Sequence, residues 1–105
     1  AIGYEFKTDS EQENGDWIWI PVGFAHAVLF LEDSVIEYFC TGQWAPETER
    51  CISPQSADID WSLFNKELKI KVDNVMNGNL LLNDKDKNGL ILEDWKVSED
   101  SKKFI

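Results

Sequence analysis

The sequence holds one histidine, His26, one arginine, Arg50, one methionine, two cysteines and three prolines in 105 residues. Each scarcity excludes something. A metal centre built from several imidazoles cannot be assembled from one histidine, so no metal and no cofactor is expected. Two cysteines, Cys40 and Cys51, are too few for a disulfide framework and read as reduced thiols of a cytosolic protein. No apolar run approaches the roughly 20 residues of a spanning helix. The opening "AIGYEFKTDSEQ" has neither the basic start nor the apolar stretch of a secretory leader. A soluble, cytoplasmic protein is the expectation, and a start at Ala1 fits either removal of an initiator Met or a cut from something longer. Basic residues are also short: twenty acids face ten bases, for a net charge of -10. A field of that sign repels phosphates, which sets aside nucleic acid and anionic membranes as partners.

What is present favours an ordered domain. Hydrophobic residues make up 43% and aromatics 12%, with five Trp, and a chain of this length forms one domain, residues 1–105, able to bury about two-thirds of its unfolded surface. The chain is organised around Trp17 to Arg50. "WIWIP" sets Trp17 and Trp19 against Ile18 and Ile20, Pro21 ends the strand for want of an N–H, and Gly23 turns the corner. "FAHAVLFL" resumes with Phe24, His26, Val28 and Phe30 on one face. "EDS" turns and "VIEYFCT" returns. With a three-residue loop, Leu31 faces Val35, Val28 faces Tyr38 and His26 faces Cys40, which puts His26 and Tyr38 diagonally on one side.

The rest reads as cladding. "AIGYEF" is a lead-in strand and "KTDSEQENGD" a loop. "GQWAPETER" is a loop in which Glu47 or Glu49 can pair with Arg50. Ile59, Trp61 and Leu63 alternate as a short strand; "KELKIKV" alternates Leu68, Ile70 and Val72 with Lys69 and Lys71 as a half-exposed one. "DNVMNGN" and "DKDKNG" are turns, and "LILEDWKVSEDSKKFI" is a short strand or a helical end. Short strands separated by turns predict an all-β sandwich or jelly roll.

"WIPVGFAHAVLFLED", then "EYFCTGQWAPETER", "IDW" and "NDKDKNGLIL" resemble, in order and spacing, the C-terminal half of the dTDP-4-dehydrorhamnose 3,5-epimerase family. The resemblance runs from Gly3 to about Trp95. It implies a cupin-type jelly roll that dimerises, here reduced to about half. It also implies roles: His26 lining a sugar pocket, Tyr38 as general acid, and Asp86 as the carboxylate that orients a catalytic histidine. The family's base is a different histidine, carried with phosphate-holding basic residues on an N-terminal half that has no counterpart here. Trp44 stands where the family has a second pocket tyrosine, Ala27 and Cys51 replace glycines, and Ser62 replaces a proline.

From the residues themselves, Trp19 and Trp44 join Phe24, His26 and Tyr38 as candidate pocket lining, and the other Trp serve the core. A lone His on an aromatic face suits a pocket or core position better than a base, although imidazole is the side chain whose unperturbed titration lies nearest neutrality. Asp84, Asp86, Asn88, Gly89 and Ile91 fit the first half of a calcium loop, but Trp95 occupies the position of the bidentate Glu. Three functions follow. One is an epimerase-like domain without the reaction that binds a small polar or sugar-type ligand near His26 and Tyr38. The others are a sugar-nucleotide isomerase completed by another chain, and a homodimeric interaction module in which self-pairing covers exposed edges.

Overall fold

The computed structural model describes residues 1–7 and 15–104. Most of the "KTDSEQENGD" loop lies outside them. Among the described residues the regular elements are helical: α1 (Lys66–Met76), α2 (Asp84–Lys87), α3 (Leu92–Val97), and single 3-10 turns at Pro46–Thr48 and Ser101–Lys103. No strand is present among them, and the one extended contact is an isolated parallel bridge between Ile52 and Leu90.

The all-β expectation is therefore overturned. "AIGYEF", "WIWIP", "FAHAVLFL" and "VIEYFCT" form no strand ladder among the described residues, so the hairpin register that would set His26 beside Tyr38 does not form. The alternation in these segments is real, but a period of two describes only which face a strand would bury. A two-stranded hairpin is marginal in water until a third strand or a packed layer covers its apolar face. Nothing in the described chain supplies that layer. Ile59, Trp61 and Leu63 likewise fall in a run of turns.

At "KELKIKV" the helical period wins. The alternation spans only Leu68 to Val72, whereas Leu68, Val72, Val75 and Met76 recur at i, i+4, i+7 and i+8 and form the half-buried stripe of α1. Asn65 caps its start by accepting from Glu67 N at 2.8 Å, and Glu67 adds a favourable charge at the first turn. Lys69 and Asp73 pair at i, i+4, and Asn77 and Gly78 end the helix. The N-terminal residues pack against this region: Lys71 pairs with Glu5, and the Phe64 ring lies over Gly3, where a Cβ would overlap it.

The tail takes the helical alternative. Ile91, at the N-cap of α3, has no capping side chain, and the caps come from a distant loop. Ser56 Oγ accepts from Leu92 N at 2.9 Å and Asp58 Oδ2 accepts from Glu93 N at 2.7 Å. Ser56 also donates to Asp58. Trp95 meets Phe104 edge to face at 5.4 Å. At the bridge, Ser53 N donates to Leu90 O at 2.8 Å and Leu90 N to Cys51 O at 3.0 Å. Gly89 permits this approach, because a Cβ there would lie 2.6 Å from Ser53 N.

Burial also departs from expectation. Among the described residues no hydrophobic side chain is buried, and Ser56, 5% exposed, is the one buried polar residue. The chain exposes 9422 Å², against about 6,000 Å² for a folded monomer of its mass and about 17,500 Å² unfolded. It buries under half of its unfolded surface instead of two-thirds. Its radius of gyration of 15.2 Å likewise exceeds the ~13 Å of a compact domain this long. The exposure concentrates between Trp17 and Trp44, where Leu29 alone is half-buried.

Candidate functional site

The residues expected to line a sugar pocket lie on this exposed stretch. Pro21 to Phe24 form a turn in which Phe24 N donates to Pro21 O at 3.3 Å and Gly23 takes φ +91°, a conformation that only glycine adopts without strain. Beyond the turn Phe24, His26 and Tyr38 are exposed, as is Trp19 before it. They line neither the cavity beside Cys51 and Lys85 nor the one beside Tyr4 and Leu68. A ring contact within this stretch joins Trp17 to Phe39, with centroids 5.4 Å apart.

The polar groups of the described chain converge elsewhere, where the loop after Trp44 meets α2. Asn83 caps α2 by accepting from Asp86 N at 2.8 Å. That turn directs the Asp86 carboxylate at Cys51, whose thiol donates to Oδ1 at 3.2 Å. Burial pushes the Cys51 pKa up, and the Asp86 carboxylate pushes it further by accepting from the thiol and by its charge. A raised pKa keeps the sulfur protonated, so Cys51 is a weak nucleophile. Asp86 thus orients a thiol. The calcium-loop pattern is closed off as well, since Asp84 to Lys87 wind into a helical turn. Among the described residues no group of three or more His, Cys, Asp or Glu side chains could hold a metal ion.

Beside this pair, Glu49 receives the Trp44 indole N–H at 2.6 Å on Oε1 and the Lys85 ammonium on Oε2. Both hold the Glu49 carboxyl below its ordinary pKa, Lys85 more strongly, and Glu49 in turn raises Lys85. Glu49, Cys51, Asp84, Lys85 and Asn88 surround an open cavity of about 470 Å³. Arg50 also borders it but does not take Glu47 or Glu49 as its carboxylate partner. Its Nε bonds Asp100 Oδ2 at 2.5 Å, and Nη1 donates to the backbone carbonyls of Glu47 (3.0 Å) and Glu49 (2.7 Å). Arg50, and secondarily Lys103, hold the Asp100 carboxyl down to about 2.

The two cations of this arrangement, Arg50 and Lys85, are both paired. Each cation sits on a carboxylate, and the one thiol is held protonated. It offers hydrogen bonds and shape. The ion pairs here span 36 and 50 residues in sequence, and local pattern carries no signal for such separations. The adjacent Glu49–Arg50 pairing suggested by proximity in sequence loses because neighbouring side chains diverge.

A family model described as dTDP-4-dehydrorhamnose 3,5-epimerase matches residues 2–94. The chain belongs to the dTDP-4-dehydrorhamnose 3,5-epimerase family. Two curated relatives of that name are similar to it. The protein from Pseudomonas aeruginosa is 42% identical over 59 residues, covering 53% of this chain and 33% of the relative. That from Sinorhizobium fredii is 37% identical over 51 residues, covering 48% and 26%. The matched stretch thus spans about a third or less of each relative's length. No solved structure gives a significant match.

Proposed function

We propose that this chain is an epimerase-like domain that binds rather than turns over, and that alone it does not perform the reaction named for its relatives. The observation that carries this reading is the engagement of Asp86 with the Cys51 thiol while His26 and Tyr38 stand exposed on irregular chain. Epimerisation beside a keto group needs a base to take the proton and an acid or oxyanion partner to receive the charge. With its carboxylate on a thiol, the chain has an orienting group but no oriented base. His26 and Tyr38 remain as contacts for a small polar or sugar-type ligand.

The test is incubation with dTDP-4-dehydrorhamnose in deuterated buffer. Deuterium entering C3 or C5 no faster than in buffer alone is the expected result. Enzyme-dependent exchange at either carbon sinks the reading. A second reading, an isomerase completed by another chain, draws support from the short share of each relative that the match covers. It expects exchange only when the N-terminal portion of the Pseudomonas aeruginosa relative is added.

A further inference from the structure

We infer that Glu49 and Lys85 are a positioning pair: their ion pair fixes α2 against the loop after Trp44, and so keeps the Asp86 carboxylate on the Cys51 thiol. The first ground is register. Glu49 is extended, and side chains two apart on extended chain share a face. Lys85 reaches Glu49, Asp86 reaches Cys51, and Leu90 bonds Cys51 O and Ser53 N, so positions 49, 51 and 53 meet 85, 86 and 90 in the same order. The backbone bridge fastens the far end of this run, beyond Asp86. The Lys85 ammonium fastens the near end.

The second ground is that Glu49 is itself held. Trp44 Nε1 donates to its Oε1 at 2.6 Å, and Arg50 Nη1 donates to its backbone carbonyl at 2.7 Å while Arg50 Nε is anchored on Asp100. An exposed ion pair ordinarily contributes little, because two long side chains must be ordered to make it. Here the acid is already ordered, and Lys85 alone loses freedom. The charged groups around Cys51 are Asp84, Lys85 and Asp86 on α2 and Glu49 and Arg50 on its own loop. Burial raises the Cys51 pKa most, then the Asp86 hydrogen bond, then the Asp86 charge, whereas the Lys85 cation lowers it and has the smallest effect of the four. Removing Lys85 therefore raises the Cys51 midpoint if Lys85 acts by charge alone, and lowers it if Asp86 is released. The positioning pair and the functional reading above both rest on the Asp86–Cys51 contact, and the test separates them.

The full chain is alkylated with iodoacetamide across the thiol pH range, and the products are read by mass spectrometry. Cleavage after Arg50 puts the two thiols on separate peptides, so exposed Cys40 serves as the internal reference. In Lys85→Gln the Cys51 midpoint is expected to fall and its rate below the midpoint to rise about twofold to fivefold, the range for losing an exposed pair. Lys85→Arg, which keeps the pairing, should stay near the parent. In an Asp86→Asn background Lys85→Gln should instead raise the midpoint, since only the cation is then lost. A midpoint that rises or stays in place in the parent background overturns the proposal, as does an equal fall in both backgrounds, which would bypass Asp86. Asp86→Asn alone supplies the separation. If it leaves the Cys51 midpoint in place, the contact fails and both readings with it; if it lowers the midpoint while Lys85→Gln does not, only the positioning pair fails.

Discussion

Replacing Ser56 by alanine isolates the contact that fastens α3 to the rest of the chain. Ser56 is 5% exposed and its hydroxyl accepts from Leu92 N at 2.9 Å, in the place of a capping side chain that Ile91 cannot provide. Loss of a capping hydroxyl costs about 1 kcal/mol, which corresponds to roughly a fivefold change in an opening equilibrium. Hydrogen exchange by NMR reads this directly. Leu92 N–H is expected to exchange about fivefold faster in Ser56→Ala, and Trp95 N–H, bonded to Ile91 O at 3.0 Å, to follow as the helix frays. Lys69 N–H, in α1 on Asn65 O, should not change, and Ser56→Thr should restore Leu92. Unchanged exchange at Leu92 would refute the reasoning, as would an equal loss at Lys69, since the hydroxyl would then support the whole chain. Acid should reproduce the effect. Asp58 is held below its ordinary pKa, foremost by the Ser56 hydroxyl and further by the Glu93 and Leu92 backbone N–H groups. A depressed carboxylate contributes stability above its unfolded pKa, and that contribution is lost as pH falls through the folded value.

Three further outcomes are expected. Arg50→Gln should lift the Asp100 midpoint from about 2 toward the ordinary carboxylate range, read by carboxyl chemical shift; an unmoved midpoint would mean that Arg50 does not hold it. The pairing strengthens the fold above the ordinary Asp pKa and disappears as pH drops toward 2. Gly89→Ala would press a Cβ to 2.6 Å from Ser53 N and should cost about 1–3 kcal/mol as an overpacked contact, seen as lost protection at Ser53 and Leu90. Iodoacetamide at pH 8 should alkylate exposed Cys40 before Cys51, whose thiol is kept protonated by burial and by Asp86. Asp86→Asn should narrow that gap, and equal rates in the parent chain would count against the Cys51–Asp86 contact.

The family was legible in the sequence because its motifs are local: "WIPVGFAH" and "NDKDKNG" lie in contiguous chain. The fold was less so. A strand is a contract between two segments, and alternation in "FAHAVLFL" describes one party only. In "KELKIKV" five alternating residues were outweighed by a helical stripe whose last two members, Val75 and Met76, lie beyond the strand reading. The resemblance gives Asp86 as the carboxylate that orients a histidine; in the structure its partner is Cys51, 35 residues away, a separation for which local pattern carries no signal. The external cap of α3 left a faint trace: "SAD" offers two capping side chains with no helix of its own, and "LILEDWKV" starts a helix with no cap.

The bare segment from Trp17 to Trp44 also sets the terms on which this protein would persist in a cell. Fourteen uncovered apolar side chains on a backbone without ladder bonds present both features by which quality control recognises an unfinished chain: hydrophobic surface for a chaperone and accessible peptide bonds for a protease. Copies on which the segment stays bare would be short-lived, so the steady-state level would follow turnover more closely than synthesis.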